Sequence, residues 1–192
     1  MPTMNFQSQV MLIKIPIGLV DRKEKFLRMN LYLLRHGEAE ARAHTDAARQ
    51  LTAKGRQDVE NVAKQFASRQ LPLEHCFVSP YVRAGETAAL FFEQLQKSVT
   101  STKTELLVPE VRASTVIDFL NTAVCGRNVL LVSHNPLLSE LNALLTEGNI
   151  NDMHILTTSE LVCISLDLIG LGMGHTPFRL LPSAQSLFSG LR

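Results

Sequence analysis

The sequence predicts an α/β fold: a three-layer α/β/α sandwich with a mostly parallel central sheet. From Leu31 onward, apolar runs of strand length alternate with stretches whose apolar residues repeat at helical spacing. This alternation is typical of βα units, whose helices cover both faces of the sheet. The 192 residues suit one such domain and are enough to bury a sizeable core.

Four strands are predicted. Residues 31–34 form the first and residues 76–79 the second. Residues 129–133 give the clearest strand, because an unbroken apolar run of this length indicates burial on both faces of a sheet. Residues 160–167, which follow a polar loop, form the last strand.

Four helices separate or follow these strands. The first begins after Thr52, which we expect to cap its N-terminus. The second is expected to begin with Ser79 as N-cap and Pro80 at the first helical position. Residues 113–124 form the third. The fourth covers residues 137–145 and follows another cap-and-proline signal, the tripeptide HNP.

The chain is expected to contain one folded domain, flanked by an N-terminal extension and a C-terminal tail. A charged cluster at residues 21–25 precedes Met29, after which the pattern becomes regular. Residues 1–28 are therefore interpreted as an N-terminal extension of uncertain structure, an extra strand being the competing interpretation. Residues 29–170 form the domain, and residues 171–192, with many Gly, Pro and Ser residues, form a C-terminal tail.

Composition excludes several function classes. The formal net charge is +1 and the basic residues are scattered, so we expect no nucleic-acid partner. Cys76, Cys125 and Cys163 lie far apart without metal-ligand spacing, which argues against a disulfide framework or a zinc site. The apolar segment at residues 10–20 is too short to cross a bilayer and is interrupted by a lysine and a proline. We expect a cytoplasmic monomer that binds no membrane.

Candidate chemistry lies at three strand ends. The first strand ends in the tripeptide RHG (residues 35–37), the second is followed by Arg83 in the next helix, and the 129–133 strand ends in His134. In open α/β sheets, ligands bind beyond the carboxyl ends of the strands. Two arginines and two histidines at one such edge would form a compact cationic site, for which a phosphoryl group is the natural ligand.

Each of these residue types has a distinct capacity. A neutral imidazole nitrogen can attack phosphorus, and His36, on a sharp turn at a strand end, is the better candidate nucleophile. Arg35 and Arg83 are always protonated and suit the equatorial phosphoryl oxygens, to which His134 can also donate. Gly37 is expected to let the backbone approach the phosphoryl group closely. These four side chains and Gly37 are the predicted catalytic and substrate-binding residues.

Three segments in this order, LYLLRHGEAE, SPYVRAGETA and VLLVSHNPLL, resemble the motif blocks of the histidine phosphatase superfamily, also called phosphoglycerate-mutase-like. The resemblance covers about residues 29 to 168. It implies that His36 is the nucleophile and that Arg35, Arg83 and His134 form the phosphate pocket. It also implies that neither a metal nor an organic cofactor takes part.

A narrower resemblance is to the bacterial phosphohistidine phosphatases of the SixA type. It depends on the segment DAARQLTAKG at residues 46–55, on VPE at residues 108–110 and on LTTS at residues 156–159. Members of this type remove phosphate from a histidine on a phosphotransfer protein. That partner class is therefore what the resemblance implies for this chain.

The chain departs from the superfamily pattern at two positions. Glu86 occupies a position where glutamine is common, which places a carboxylate near the predicted pocket. Larger relatives place a proton-donating glutamate after the second block, and Glu110 is the candidate here, with a solvated loop residue as the competing interpretation. A phosphohistidine substrate depends less on such a donor, because imidazole is a better leaving group than an alkoxide.

Chain length between Arg83 and His134 also bears on the substrate. One helix, a short apolar segment, another helix and a strand account for these residues, so we expect no lid subdomain. An uncovered site would admit a histidine displayed on another protein. The alternatives are a small-molecule phosphomonoesterase or mutase, and a non-catalytic module that binds phosphate or a phosphoprotein. A metal hydrolase is a poorer alternative, because no carboxylate cluster accompanies the histidines.

Overall fold

The structure is a computed structural model that describes residues 28–96, 99–123 and 128–182. Of the predicted N-terminal extension, only Arg28 lies within these ranges. The last ten residues of the predicted tail also lie outside the described residues.

Within the described ranges, six strands form one sheet in the order β3-β2-β4-β1-β5-β6. Their bounds are Met29–Arg35 (β1), His75–Val78 (β2), Thr100–Lys103 (β3), Asn128–Ser133 (β4), Leu161–Leu166 (β5) and Gly174–Leu180 (β6). Strands β1 to β4 run parallel to one another, whereas β5 and β6 pair in antiparallel fashion. The helices are Ala53–Ser68 (α1), Val82–Leu95 (α2), Ala113–Ala123 (α3) and Leu137–Glu147 (α4).

Two apolar clusters, one on each face of the sheet, make the fold a three-layer sandwich and confirm the predicted class. Helices α1 and α2 pack on one face through side chains that include Phe66 and Phe91. Helices α3 and α4 pack on the other, through side chains that include Leu120 and Leu141. Strand β4 contributes alternate residues to both clusters and is buried along its whole length, which explains its unbroken apolar run.

The predicted helix starts were right at α1 and wrong at α2. The Thr52 hydroxyl accepts a hydrogen bond from the Gly55 amide at 2.9 Å, so Thr52 caps α1 as expected. Helix α2 begins only at Val82, and Ser79 does not cap it. The Ser79 hydroxyl instead lies 2.7 Å from the His134 ring, which is a contact that local sequence cannot reveal.

Strands β3 and β6 were not among the predicted strands. Every residue of β3 is exposed, so this edge strand lacks the apolar alternation by which a strand is recognised. Strand β6 pairs with β5 and carries the sheet past residue 170, the boundary expected for the domain. From Gly174 to Arg179 its residues alternate between half-buried and exposed, and Leu180 is buried, which leaves a weak apolar signal.

The parallel register brings the three candidate strand ends to one edge. Arg35 pairs with Ser133, and Val78 pairs with Val132. Just beyond the strands, the His36 amide donates to the Ser133 carbonyl, and the Ser79 amide donates to the Val132 carbonyl, both at 3.0 Å. The first residues after β1, β2 and β4 are therefore neighbours in space.

Candidate active site

The four predicted side chains meet at this edge. His36 follows β1, Arg83 lies in the first turn of α2, and His134 follows β4; all three are buried. The centroids of the two imidazole rings are 4.9 Å apart, and Arg83 Nε lies 3.2 Å from His36 Nε2. Arg35, the last residue of β1, carries a second guanidinium, close enough for its charge to act on both imidazoles.

The hydrogen bonds of His36 indicate which ring nitrogen carries the proton. Its Nδ1 lies 2.7 Å from the Gly37 carbonyl, which can only accept, so Nδ1 carries the proton. The Arg83 Nε–H group donates to Nε2, which must therefore offer a lone pair. This tautomer places an unprotonated nitrogen in front of a guanidinium, as a nucleophile toward phosphorus requires.

The surroundings of His36 keep its ring neutral. Burial, together with the nearby charges of Arg83, Arg35 and Arg49, lowers the pKa of His36 to about 4, against the raising effect of the Gly37 hydrogen bond. The pKa of His134 is lowered to about 3, mainly by burial and also by the neighbouring cationic groups. Both imidazoles are therefore in the neutral form at pH 7, with one ring proton each.

A nuclear magnetic resonance titration of the imidazole nitrogens tests this arrangement. We expect the His36 and His134 rings to stay neutral from pH 7 to pH 5, with His36 protonating near pH 4. Because the pKa values of both histidines are lower in the folded than in the unfolded protein, the unfolded chain takes up protons first as the pH falls below about 6.5. The free energy of unfolding therefore decreases from about pH 6.5 down to the folded-state pKa values, about 4 for His36 and about 3 for His134. A midpoint near 6.5 for His36 would be incompatible with its burial among the arginines.

His134 is oriented by Ser79, which the sequence predicts as a helix cap. The Ser79 hydroxyl lies 2.7 Å from His134 Nε2 and also accepts from the Tyr81 amide at 3.4 Å. The Ser79 hydroxyl can donate to Nε2 while its oxygen accepts from the Tyr81 amide, and in that arrangement the proton of His134 is on Nδ1. That Nδ1 atom is buried and has no hydrogen-bond partner among the residues that the structure describes. In the tautomer with the proton on Nδ1, this atom can donate to a phosphoryl oxygen.

Replacing Ser79 by alanine should weaken catalysis without removing a group that touches the substrate. We expect kcat/KM to fall about 10-fold, the effect of one lost orienting hydrogen bond of roughly 1.4 kcal/mol. The steady-state rates of Ser79→Ala and of the matched surface variant Ser68→Ala measure this. An effect no larger than that of Ser68→Ala would show that the Ser79 contact does not orient His134.

Arg83 is held by an acidic residue from the loop before α1. Arg83 Nη1 donates to the Asp46 carbonyl at 2.6 Å, and Nη2 donates to the Asp46 carboxylate at 2.9 Å. Arg49 donates to the same carboxylate at 2.8 Å. The hydrogen bonds from Arg49 and Arg83 hold the pKa of Asp46 below its ordinary value. Asp46 thus fixes the guanidinium that faces His36.

Arg35 has one fixed end and one open atom. Its Nη1 donates to the Leu156 carbonyl at 2.5 Å. Its Nε is buried and, within the described part of the chain, has no hydrogen-bond partner. Two of the four predicted residues, Arg35 and His134, therefore each carry a buried nitrogen that lacks a partner. Such atoms in one site indicate a place for an anion.

Gly37 packs closely against α1. Its amide already donates to the Thr87 hydroxyl at 3.1 Å, so it is not directed at a ligand. A β-carbon at Gly37 would lie 2.8 Å from the Gly55 carbonyl oxygen, which means that the residue is needed for close packing against α1. The structure therefore gives Gly37 a packing role, and its close approach to the phosphoryl group stays a prediction.

Tyr81 and Glu110 lie at the rim. The centroid of the Tyr81 ring lies 5.0 Å from the centroid of the His134 ring. It also lies 4.9 Å from the guanidinium carbon of Arg83. Its hydroxyl is 3.5 Å from both oxygens of the exposed Glu110 carboxylate. The structure thus brings Glu110 to the edge of the site through Tyr81.

Glu86 does not present a free charge to the site. One carboxylate oxygen pairs with Arg56 at 2.6 Å, and the other accepts from the Leu51 amide at 2.7 Å. The residue joins α2 to α1 and to the loop before it. The departure from the family pattern is therefore accommodated by a local cation.

Sequence reasoning missed the residues that orient the four. Asp46 lies in the segment on which the SixA resemblance depends, but no role was assigned to it. Ser79 is predicted from the sequence as a helix cap, not as a partner of His134. The sequence also gives no sign of the role of Thr87, whose hydroxyl accepts a hydrogen bond from the Gly37 amide and donates one to the Arg83 carbonyl. A short polar side chain after a strand is a signal common to many loops, so sequence alone does not distinguish these roles.

The described residues contain neither a metal-binding cluster nor a membrane-spanning helix. Among residues 28–96, 99–123 and 128–182, no three His, Cys, Asp or Glu side chains are grouped so that they could hold a metal ion. No helix in the same part of the chain has the length and apolar character needed to cross a membrane.

Comparison with known proteins identifies the family. The model of the histidine phosphatase superfamily (branch 1) matches residues 31–107. The chain is 37% identical over 128 residues to a phosphohistidine phosphatase SixA homolog of Haemophilus influenzae, a match that covers 60% of this chain and 76% of the relative. It is 27% identical over 150 residues to phosphohistidine phosphatase SixA of Escherichia coli, covering 75% and 89% of the two chains.

A solved structure agrees with these matches. The protein histidine phosphatase SixA complexed with tungstate superposes with a TM-score of 0.71 at 28% identity, over 80% of this chain and 97% of that one. The match spans nearly the whole of that protein, and the identity of the Haemophilus influenzae relative extends over three quarters of its length. The chain therefore belongs to the histidine phosphatase superfamily, as a phosphatase similar to its SixA-type members.

Proposed function

We propose that the protein hydrolyses phosphohistidine on a phosphotransfer or signalling protein through a covalent phospho-His36 intermediate, without a metal or organic cofactor. The single observation that carries this proposal is the state of His36. Its Nδ1 proton is bound by the Gly37 carbonyl, and its Nε2 lone pair faces Arg83. A neutral, oriented imidazole beside fixed cations is equipped for attack on phosphorus.

In the first step, the phosphoryl group enters between His36 Nε2 and Arg83. The Nε2 lone pair forms a bond to phosphorus while the bond from phosphorus to the substrate imidazole breaks. The leaving imidazole nitrogen gains a proton from water. Arg35, Arg83 and His134 bind the equatorial oxygens, so their charges and dipoles stabilise the transition state.

In the second step, a water oxygen attacks the phosphorus of phospho-His36. The bond from phosphorus to Nε2 breaks, the electron pair returns to the imidazole, and a water proton passes to solvent. Orthophosphate leaves and His36 regains its starting tautomer. The proton on Nδ1 stays with the Gly37 carbonyl throughout, because that contact needs no rearrangement.

The nature of the leaving group and of the relatives supports a phosphohistidine substrate. An imidazole leaving group needs little help from a general acid. The rim carboxylate of Glu110 is exposed and contacts Tyr81 rather than the four central side chains. The SixA-type relatives to which the chain is similar are named as phosphohistidine phosphatases.

A second candidate is a small-molecule phosphomonoesterase, and Glu110 is the observation in its favour. Its carboxylate lies next to Tyr81, whose ring contacts His134. If the Glu110 carboxyl group reached the leaving oxygen of a bound ester, it would act as the proton donor that an alkoxide requires. Glu110→Gln would then lower the rate of ester hydrolysis more than that of phosphohistidine hydrolysis.

A substrate panel tests the proposed function. The purified protein is incubated, with a chelator present, with a phosphohistidine-bearing phosphotransfer domain and with a set of phosphate esters. We expect release of orthophosphate from the phosphohistidine at a kcat/KM at least about 100-fold above that for the esters, a preference of roughly 3 kcal/mol in transition-state binding. Hydrolysis of the esters alone would refute the assignment, and binding without turnover would indicate the non-catalytic module. Loss of activity to the chelator would indicate a metal-dependent reaction.

A further inference from the structure

Glu160 is a buried carboxylate that the proposed mechanism does not use. The residue is only 1% exposed and directly precedes the first residue of β5. Its oxygens accept hydrogen bonds from the Thr157 amide at 2.8 Å, the Thr157 hydroxyl at 3.2 Å and His154 Nε2 at 2.8 Å. A charged group is rarely buried unless it is paired in this way, so its placement needs an explanation.

All three donors belong to one loop, residues 154–159, which joins α4 to β5 and which we call the Arg35 loop. Its Leu156 carbonyl accepts from Arg35 Nη1 at 2.5 Å and from Asn135 Nδ2 at 2.9 Å. The Ser159 amide donates to the His36 carbonyl at 3.2 Å. The loop therefore contacts the Arg35 side chain, the His36 backbone carbonyl and the side chain of Asn135, the residue after His134.

The conformation of this loop is imposed by its surroundings. Ser159 has a φ of 61°, a left-handed conformation that a residue with a side chain seldom adopts. The Leu156 amide is bound by the Ser139 hydroxyl at 3.0 Å, and that hydroxyl donates to Asn135 at 2.9 Å. Glu160 also binds the loop, through Thr157 and His154. Without this tie, the loop would lose the contacts that hold it from the β5 side.

Electrostatics link Glu160 to Arg35 as well. Burial lowers the pKa of Arg35, and the negative charge of Glu160 acts in the opposite direction. In addition, the Arg35 amide donates to the Glu160 carbonyl at 3.0 Å. The Arg35 backbone thus contacts the Glu160 carbonyl directly, whereas the Glu160 carboxylate acts on the Arg35 guanidinium at longer range. The guanidinium can therefore still bind a phosphoryl oxygen.

We infer that Glu160, assisted by His154, is a positioning residue that fixes the Arg35 loop and thereby the direction of the Arg35 guanidinium toward the phosphoryl group. The inference rests on the proposed function, in which Arg35 binds the phosphoryl oxygens. Glu160 itself touches neither substrate nor reacting atoms. Its effect should therefore be seen in anion binding and should depend on the presence of Arg35.

The test measures the affinity for inorganic phosphate by calorimetry, together with kcat, KM and thermal stability. We expect Glu160→Ala to weaken phosphate binding about 10-fold and to raise KM by a similar factor, with a smaller change in kcat, since a misdirected Arg35 loses one charged contact. Glu160→Gln, which keeps an oxygen for the Thr157 amide, should recover part of the affinity. Glu93→Ala, at an exposed glutamate of α2, is the matched control and should leave phosphate affinity unchanged.

A double-variant cycle distinguishes positioning from general stabilisation. In an Arg35→Ala background, Glu160→Ala should cause no further loss of phosphate affinity, because the residue through which it acts is gone. Equal losses in both backgrounds would overturn the inference, as would a lower melting temperature with unchanged phosphate affinity. If Glu160→Ala does not fold, His154→Phe replaces it, with an expected loss of about threefold because Thr157 still binds the carboxylate.

These outcomes separate the inference from the proposed function. Phosphate affinity is measured without turnover, so it does not depend on which phosphorylated substrate the protein prefers. Hydrolysis of esters alone would remove the proposed function and leave the effect of Glu160 intact. Unchanged phosphate affinity in Arg35→Ala would overturn the inference, because the site would then not use Arg35.

Discussion

Replacing His36 by alanine is expected to reduce kcat by on the order of 10⁴-fold or more, the range seen when a covalent nucleophile is removed. The structure gives the reason. His36 Nε2 is the unprotonated nitrogen that faces Arg83, and the other ring, His134, is committed through Nε2 to Ser79. Residual hydrolysis would come only from water attacking a phosphoryl group held by the remaining cations.

The same variant should still bind phosphate. Arg35, Arg83 and His134 remain in place, so the dissociation constant for inorganic phosphate is expected to change by only a few fold, while turnover is lost. His175→Ala serves as the control, since His175 is exposed on β6 and should leave both quantities unchanged. Parallel losses of binding and turnover in His36→Ala would point to a binding role for His36 rather than a nucleophilic one.

The second large effect is expected at Arg83. Arg83→Lys should lower kcat/KM by roughly 10² to 10³-fold, because a transition-state donor is removed and an ammonium cannot reproduce the guanidinium geometry. Arg83 is 4% exposed and donates through three separate nitrogens, to His36 Nε2 and to two oxygens of Asp46. A lysine has one donor group for these three positions.

The charge-conserving substitution makes this test specific. Because Arg83→Lys keeps a cation near His36, a small effect would mean that only net charge matters at this position. Steady-state kinetics of Arg83→Lys and Arg83→Ala provide the measurement, with Arg179→Lys, at an exposed position of β6, as the control. Similar rates for wild type and Arg83→Lys would contradict the assignment of the guanidinium to the phosphoryl oxygens.

The central features of the fold were accessible from the sequence because they produce strong local patterns. An unbroken apolar run marked β4, and Thr52 marked the start of α1. Strand ends in parallel βα units share one edge, so the position of His36 beside His134 followed once the strands were recognised. The exposed strand β3 and the half-exposed strand β6 leave no such pattern, and both escaped prediction.

The residues that orient the site depend on contacts between distant parts of the chain. Asp46 holds Arg83 from 37 positions away, Ser79 bonds to His134 from 55 positions away, and the Leu156 carbonyl meets Arg35 across 121 positions. No local periodicity records such pairings. Gly37 illustrates the same limit: its neighbour Gly55 explains why a side chain is absent, whereas the sequence alone suggested a role beside the ligand.

Trapping of the intermediate tests the account most directly. The protein is mixed with a phosphohistidine-bearing phosphotransfer domain carrying labelled phosphate, the reaction is quenched in alkali within milliseconds, and the label is located by mass spectrometry. We predict acid-labile phosphate on His36 Nε2 that forms before orthophosphate is released and then decays at the rate of release. Release of labelled orthophosphate at the full rate with no phosphate on His36, or with the label on another residue, would contradict the covalent mechanism.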